Sequence, residues 1–358
     1  MKKLIILGAT GSVGRQAIEV VKNYPDLLKV VGLAAYSNKE ELIKLTKFIN
    51  VDKLALAAEN PAAITNLIKE SDADVVLNAI SGSAGLLASF TTLEEGRTLA
   101  LANKESMVMA GPLLKELAAK NNCLILPVDS EHSALFFLLQ NRKAEEIDEL
   151  ILTASGGPFR DYSFNQLRQV TAQQAANHPT WQMGAKISID SASLANKGLE
   201  VIEAWQLFNI DIKKIKVVMH RQSVVHSFIR TTDGALYGQM GKPTMLLPIQ
   251  NALLYPALKP VPAARFDLFN QNLTFEAIDN ERFPLLNLAY RACELGAAYP
   301  LVYNIANEIA VADFCAGRIK FTALADYVEQ AFNHSFNYEA SKEGIFKLSD
   351  DIKNFFKG

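Results

Sequence analysis

The sequence predicts an α/β protein in three parts: an N-terminal doubly wound parallel sheet, a second α/β unit, and a helical C-terminal part. Three observations carry that reading. Over the first ~130 residues, short β-type apolar runs alternate with helical stretches, the pattern of a parallel sheet with helices on both faces. From Leu150 to about Met240, strand-like runs mix with polar loops. From Phe283 to Phe332, apolar residues keep helical spacing almost throughout.

The N-terminal strands are expected at Leu4 to Leu7, Val30 to Ala35, Leu54 to Ala58, Val75 to Ile80, Thr98 to Ala102 and Leu124 to Val128. Farther on, Tyr255-Pro-Ala-Leu-Lys-Pro-Val-Pro breaks both helix and sheet and reads as a linker before the helical part. A chain of 358 residues, 49% hydrophobic and 21% charged, can bury more than one core and is too apolar for disorder. Its formal charge of -2 gives no long-range attraction to nucleic acid or to an anionic membrane, so any anion must be bound locally. Cys123, Cys293 and Cys315 are widely spaced, odd in number and set in apolar surroundings. They read as core residues in a reducing compartment, not as a zinc cage. Met1-Lys-Lys-Leu-Ile-Ile-Leu-Gly runs straight into structure without an apolar targeting segment, and no stretch is long enough to span a bilayer. The expected location is the cytoplasm.

The first chemical signal follows the first strand. Gly8, Gly11 and Gly14 lie between Leu4-Ile-Ile-Leu and an amphipathic helix. Glycine there lets the backbone approach a pyrophosphate, and the helix start supplies amide donors and a positive dipole end, as in a Rossmann-like site. A site preferring NAD is expected to carry an acidic residue at the end of the second strand, to accept from the ribose hydroxyls. Here Val30-Val-Gly-Leu-Ala-Ala-Tyr-Ser-Asn-Lys has none, while Ser37, Asn38, Lys39 and Arg15 can donate to a 2′-phosphate. NADPH is the cofactor this favours.

Ligands collect at the carboxyl ends of strands in an open parallel sheet, and three such ends are chemically loaded. Asn103-Lys104-Glu105 follows the fifth run, and Asp129-Ser130-Glu131 the sixth. Ser155-Gly156-Gly157, after Leu150-Ile-Leu, suits an anion nest of backbone amides. If extended geometry persists past Val128, its period of two puts Asp129 and Glu131 on one face, where an all-oxygen pair suits Mg²⁺ or Mn²⁺. The alternative is that Asp129 or Ser130 caps a helix suggested by Ser133 to Gln140. Both readings stand at this point.

Asp190-Ser191-Ala192-Ser193-Leu194-Ala195-Asn196-Lys197-Gly198-Leu199-Glu200 looks like a cap followed by a helix. Asn196, Lys197 and Glu200 then share one helical face. The amide and ammonium suit phosphate, and Glu200 offers a third oxygen ligand; a surface Lys197–Glu200 salt bridge is the plainer alternative. His178, before a proline in a loop with Trp181 and Met183, suggests a polar contact beneath a movable apolar cover.

In this order the motifs resemble the 1-deoxy-D-xylulose 5-phosphate reductoisomerase family. The resemblance runs through Gly-Ala-Thr-Gly-Ser-Val-Gly, Leu-Ala-Asn-Lys-Glu-Ser, Pro-Val-Asp-Ser-Glu-His-Ser-Ala, Ala-Ser-Gly-Gly-Pro-Phe and His-Pro-Thr-Trp-Gln-Met-Gly. It continues through Lys-Ile-Ser-Ile-Asp-Ser-Ala-Ser-Leu-Ala-Asn-Lys-Gly-Leu-Glu to Asn304-Ile-Ala-Asn-Glu, covering nearly the whole chain. It implies an NADPH- and divalent-metal-dependent enzyme of isoprenoid precursor synthesis that makes 2-C-methyl-D-erythritol 4-phosphate from a phosphorylated sugar. It also implies a homodimer with no nucleic-acid or membrane partner.

The implied cofactor contacts are Thr10, Gly11, Ser12, Val13, Asn103, Glu105 and Gly184, to which the reading of the residues themselves adds Gly8, Ser37 and Asn38. Lys104, Ser130, Glu131, Ser155, His178, Ser191, Asn196, Lys197 and Glu200 match substrate contacts. Asp129, Glu131 and Glu200 match the metal triad, with Lys104 and His178 beside them as catalytic residues. The implied division is a cofactor domain at 1–128, a catalytic and dimerising domain at 129–254, a linker at 255–280 and a helical bundle at 281–358. One departure stands at the second strand exit, where many relatives carry Gly-Lys-Asn and this chain has Tyr36-Ser37-Asn38.

Overall fold

The computed structural model describes residues 1–51, 53–177, 184–263, 265–269 and 271–357. Its strands are β1 (Lys2–Leu7), β2 (Leu28–Ala35), β3 (Leu54–Leu56), β4 (Val75–Asn78), β5 (Thr98–Leu101), β6 (Ile125–Pro127), β7 (Ile147–Ala154), β8 (Ile215–Met219), β9 (Val225–Thr231) and β10 (Leu236–Met240). The first eight helices are α1 (Ser12–Asn23), α2 (Lys39–Thr46), α3 (Ala63–Lys69), α4 (Leu86–Glu94), α5 (Lys104–Lys120), α6 (Ser130–Leu138), α7 (Phe164–Leu167) and α8 (Ala172–Ala175). There follow α9 (Ala185–Ala192), α10 (Ala195–Phe208), α11 (Leu246–Leu254), α12 (Pro284–Leu295), α13 (Tyr299–Cys315), α14 (Leu324–Phe332) and α15 (Lys342–Phe355). All six N-terminal strands stand where the apolar runs put them.

The chain forms two compact units. The first gathers Met1–Ser106, Leu114–Phe136 and Thr244–Arg265; the second gathers Met107–Leu113, Phe137–Pro243 and Phe266–Gly358. In the first unit β1 to β6 make one parallel sheet in the order β3-β2-β1-β4-β5-β6. The strand order reverses between β1 and β4, which opens a crevice at their carboxyl ends.

Strand alternation explains the double winding. Leu4 and Ile6 point into a core with Ala17, Ile18 and Val21 of α1, while Ile5 and Leu7 point into another with Leu67 and Ile68 of α3 and Ala88 of α4. Leu4, Ile5, Ile6 and Leu7 are all fully buried. Burying each such side chain contributes about 1.5–3 kcal/mol before entropy.

The core on the α1 side is completed from far along the chain. Ile249 and Leu253 of α11 are fully buried in it, and Thr244 donates to the Gln16 amide oxygen of α1 at 3.3 Å. Lys2 donates to the carbonyls of Leu253 and Tyr255, and the Tyr24 hydroxyl to that of Pro260, so the proline-rich stretch starts out tied to this unit.

The second unit has its own four-stranded sheet, β10-β9-β7-β8, in which β7 pairs parallel with β8 and antiparallel with β9. The register Leu150↔Ile215 to Ala154↔Met219 fixes where β7 ends and Ser155 begins. Helices α12 to α15 fulfil the C-terminal helical expectation, and α12 packs on α10. Among the described residues no helix is long and apolar enough to cross a membrane. One composition-based expectation needs correction: Cys293 is buried, but Cys123 is half-buried and Cys315, the last residue of α13, is exposed.

Candidate active site

At the end of β1, Gly8 takes φ +72°, and a Cβ there would lie 2.4 Å from the Ala79 carbonyl oxygen beyond β4. Gly14 is as constrained: its Cβ would sit 2.5 Å from the Gly8 oxygen and from the Ala9 Cα. Glycine is thus needed for backbone to meet backbone at the β1–β4 crevice. Gly11 is the N-cap of α1 and offers no side-chain cap, and the first turn of α1 holds no acidic residue. A helix start left open in this way suits an anion, with Thr10, Gly11, Ser12 and Val13 at its mouth.

The second strand exit is busier than its sequence suggested. Asn38 caps α2, its side-chain oxygen accepting from the Glu41 amide at 3.1 Å. Arg15 pairs with Glu41 at 2.7 Å and Lys39 with Glu59 at 3.2 Å. None of the residues from Ala35 to Lys39 at the strand end is acidic.

Across the crevice, Asn103 caps α5 and ties down the loop after β4. Its amide nitrogen donates to the carbonyls of Ile80 (2.7 Å) and Gly82 (2.8 Å) and to Glu105 (3.0 Å), and Glu105 accepts from the Gly82 amide at 3.1 Å. Asn78, buried at the end of β4, braces the same loop through the Gly85 carbonyl and the Ser89 hydroxyl, each at 2.9 Å. Sequence reading passed over Asn78; the signal was a polar residue closing an otherwise apolar strand.

Lys104, the first residue of α5, is buried and forms an ion pair with Asp129 beyond β6. Here the strand-period expectation is corrected. Extended backbone stops at Pro127 and α6 starts at Ser130, so Asp129 precedes a helix and Glu131 lies in its first turn. The two acids are brought to one end of the sheet by a strand-to-helix turn, not by the pleat. Ser130 donates to Glu131 at 2.6 Å. Burial pushes the Asp129 carboxyl above the usual carboxylate range; Lys104 opposes that shift, while Glu131 and Glu105 add to it. A cluster of carboxylates with more negative charge than Lys104 neutralises fits a hard divalent cation.

In the second unit, Gly156 (φ +80°) and Gly157 (φ +66°) follow β7, and the Gly157 amide donates to the Ser155 hydroxyl at 3.3 Å. A Cβ on Gly157 would lie 2.6 Å from the Ser191 carbonyl oxygen, so this turn is packed directly on the end of α9. Asp190 is not a cap. It lies inside α9, paired with Lys186 one turn back at 2.8 Å, and the break before α10 falls at Leu194, φ +59°. On α10, Asn196 donates to one Glu200 oxygen at 2.5 Å and Lys197 pairs with the other. Lys197 and Glu200 are buried, which rules out a surface salt bridge.

Gly184 is exposed at the N-cap of α9. His178, Trp181 and Met183 lie outside the described residues.

Comparison with known proteins decides the family. A family model described as 1-deoxy-D-xylulose 5-phosphate reductoisomerase matches residues 4–63 and 56–111, and models of its C-terminal domains match 125–208 and 240–355. Reductoisomerases of that name from Listeria monocytogenes serotype 4b (strain F2365) and Bacillus subtilis (strain 168) are 41% and 40% identical. The alignments cover 100% and 99% of this chain and 99% and 98% of those relatives. The chain belongs to the 1-deoxy-D-xylulose 5-phosphate reductoisomerase family.

Solved structures of the family agree with the fold. A reductoisomerase in complex with NADPH, fosmidomycin and magnesium superposes with a TM-score of 0.94 at 33% identity, covering 99% of this chain and 97% of that one. The Zymomonas mobilis enzyme in complex with NADPH gives 0.90 at 36% identity with the same coverage.

Proposed function

We propose that this chain converts 1-deoxy-D-xylulose 5-phosphate to 2-C-methyl-D-erythritol 4-phosphate, using NADPH and a divalent cation, as a step in isoprenoid precursor synthesis. The observation that carries this reading is the meeting of Lys104, Asp129 and Glu131 at the ends of β5 and β6, in a member of this family whose β1–β4 crevice is built for close backbone approach. When bound, NADPH supplies a hydride, and Mg²⁺ or Mn²⁺ held by Asp129, Glu131 and Glu200 supplies Lewis acidity at substrate oxygens.

The reaction cleaves and remakes a carbon–carbon bond by retro-aldol and aldol steps, then reduces the resulting aldehyde. Lys104 Nζ, fixed against Asp129, moves protons at a substrate oxygen. Glu200, held at both carboxylate oxygens by Asn196 and Lys197, keeps one orientation throughout and assists proton movement. Ser155, Ser191, Asn196 and Lys197 hold the phosphate away from the reacting carbons, which lowers the entropic barrier to alignment. Ser130 and His178 complete the substrate contacts. Asn103 and Glu105 secure the loop beside the crevice, and with Ser37, Asn38 and Gly184 they contact the cofactor.

The three-domain division, with boundaries at 128, 254 and 280, is part of the same proposal, as are a homodimer and a cytoplasmic location. The return of α11 to the first unit bears on the end of the middle segment. NADPH oxidation with 1-deoxy-D-xylulose 5-phosphate, with and without Mg²⁺ or Mn²⁺, tests the reading. Turnover only with substrate, NADPH and metal together is expected; turnover in metal-free buffer removes the triad.

A further inference from the structure

The segment Asn304-Ile-Ala-Asn307-Glu308 has no role in the chemistry above, yet it lies in α13 and Asn304 and Asn307 are fully buried. Tyr303, also fully buried, and Asn307 are four residues apart and so share one face of the helix. We infer that this face of α13 is a positioning element that sets the spacing between α9 and α10, and with it the cradle for the substrate's phosphate. The inference rests on the phosphate roles proposed for Ser191, Asn196 and Lys197.

Asn307 reaches α9. Its amide nitrogen donates to one Asp190 oxygen at 2.8 Å, while Lys186 donates to the other at 2.8 Å. Asp190 is the residue before Ser191, and its carbonyl accepts from the Ser193 hydroxyl at 3.2 Å. Tyr303 reaches α10. Its hydroxyl lies 3.4 Å from the Ala195 carbonyl and 3.1 Å from the Leu285 carbonyl of α12. Ala195 is the residue before Asn196. Gly198 lets α10 approach this closely, since a Cβ there would be 2.4 Å from the Tyr303 oxygen. One helical face thus holds the carboxylate of the residue before Ser191 and the backbone carbonyl of the residue before Asn196.

The junction needs such support. Leu194, between α9 and α10, has φ +59°, a left-handed conformation that costs a branched residue about 1 kcal/mol or more and persists only where its surroundings enforce it. Released from α13, the junction relaxes, and the spacing of Ser191 from Asn196 and Lys197 changes. Burial and the neighbouring Asp190 push the Tyr303 phenol well above its usual range, so it remains a neutral donor.

Asn307→Leu and Tyr303→Phe in the full chain test this, with Ile305→Ala as control. Ile305 is buried in the same helix about 200° around the axis from both residues. For Asn307→Leu, KM for 1-deoxy-D-xylulose 5-phosphate should rise roughly 10-fold, the cost of orphaning a buried acceptor, with kcat within about 2-fold. The constant for competitive inhibition by inorganic phosphate should rise by the same factor, and NADPH affinity should not change. Tyr303→Phe should act in the same direction at roughly 3-fold. Ile305→Ala should lower the melting temperature without moving KM. Unchanged KM and phosphate inhibition in the first two variants, or an equal rise in KM for the control, overturns the role of α13. Failure of phosphate to compete in the unmodified protein removes the phosphate reading and this inference together. Phosphate competing equally well in all proteins removes only this inference.

Discussion

Replacing Gly14 with alanine places a methyl carbon 2.5 Å from both the Gly8 carbonyl oxygen and the Ala9 Cα, where ordinary contact begins at 3.4 Å. Both obstacles are backbone, so neither can rotate away. The start of α1 must retreat from the glycine loop by about 1 Å. Such overpacking costs about 1–3 kcal/mol of stability. The larger effect is expected on the cofactor. A 1 Å retreat is enough to break one charge-assisted amide–phosphate bond, worth about 1.5–3 kcal/mol, and to weaken NADPH binding by roughly 10- to 150-fold. Titration of NADPH fluorescence on the purified variant measures this directly, with circular dichroism to establish that it is folded. NADPH affinity within 3-fold of the unmodified protein, in a folded variant, would refute the claim that Gly14 keeps α1 in phosphate range.

Other outcomes follow from the same geometry. Asp129→Asn should raise the concentration of Mg²⁺ or Mn²⁺ needed for half-maximal turnover by at least ~10-fold while NADPH affinity is nearly unchanged, because Asp129 lies with Lys104 and not in the glycine loop; equal metal titrations for both proteins count against its role as a ligand. NADPH should exceed NADH in kcat/KM by at least ~10-fold, since no acidic residue ends β2; equal values would show that the strand exit does not read the 2′-phosphate. A thiol reagent at pH 8 should label Cys315 first and Cys293 only after denaturation. Burial pushes the Cys293 thiol up, so it stays protonated in the fold and gains thiolate only when the chain opens. Rapid labelling of two or more thiols in the native protein is the contrary result.

Much of the first unit was legible because its strands are buried on both faces and announce themselves as apolar runs. The glycine loop was legible for a related reason: a strand before and a helix after leave little else for Gly8, Gly11 and Gly14 to be. One of the two readings held open beyond Val128 failed, and so did the reading of Asp190 as a cap, each where competing tendencies meet. Beyond Val128 the extended period gave way at once, because Ser130 and Glu131 are residues that favour a helix start. Asp190 resembled a cap, but the break lies four residues later at Leu194, whose left-handed φ no sequence rule anticipates for leucine. The partners of α11 and of Asn307 lie more than a hundred residues away, and local pattern carries no information about them.

The discontinuity of the first unit bears on how the protein is made. Residues up to Phe136 leave the ribosome with all six strands of the parallel sheet, yet α11, which covers α1 and supplies Ile249 and Leu253 to that core, is encoded up to Leu254 within a segment ending at Arg265. At ordinary rates of synthesis the wait between those points is roughly 6–25 s, long compared with the collapse of the nascent sheet. Throughout that interval one face of the first unit presents uncovered apolar surface to the cell. A gene fragment ending near residue 128 should therefore yield an aggregating product, and a nascent chain stalled there is a natural client for a chaperone that holds apolar segments.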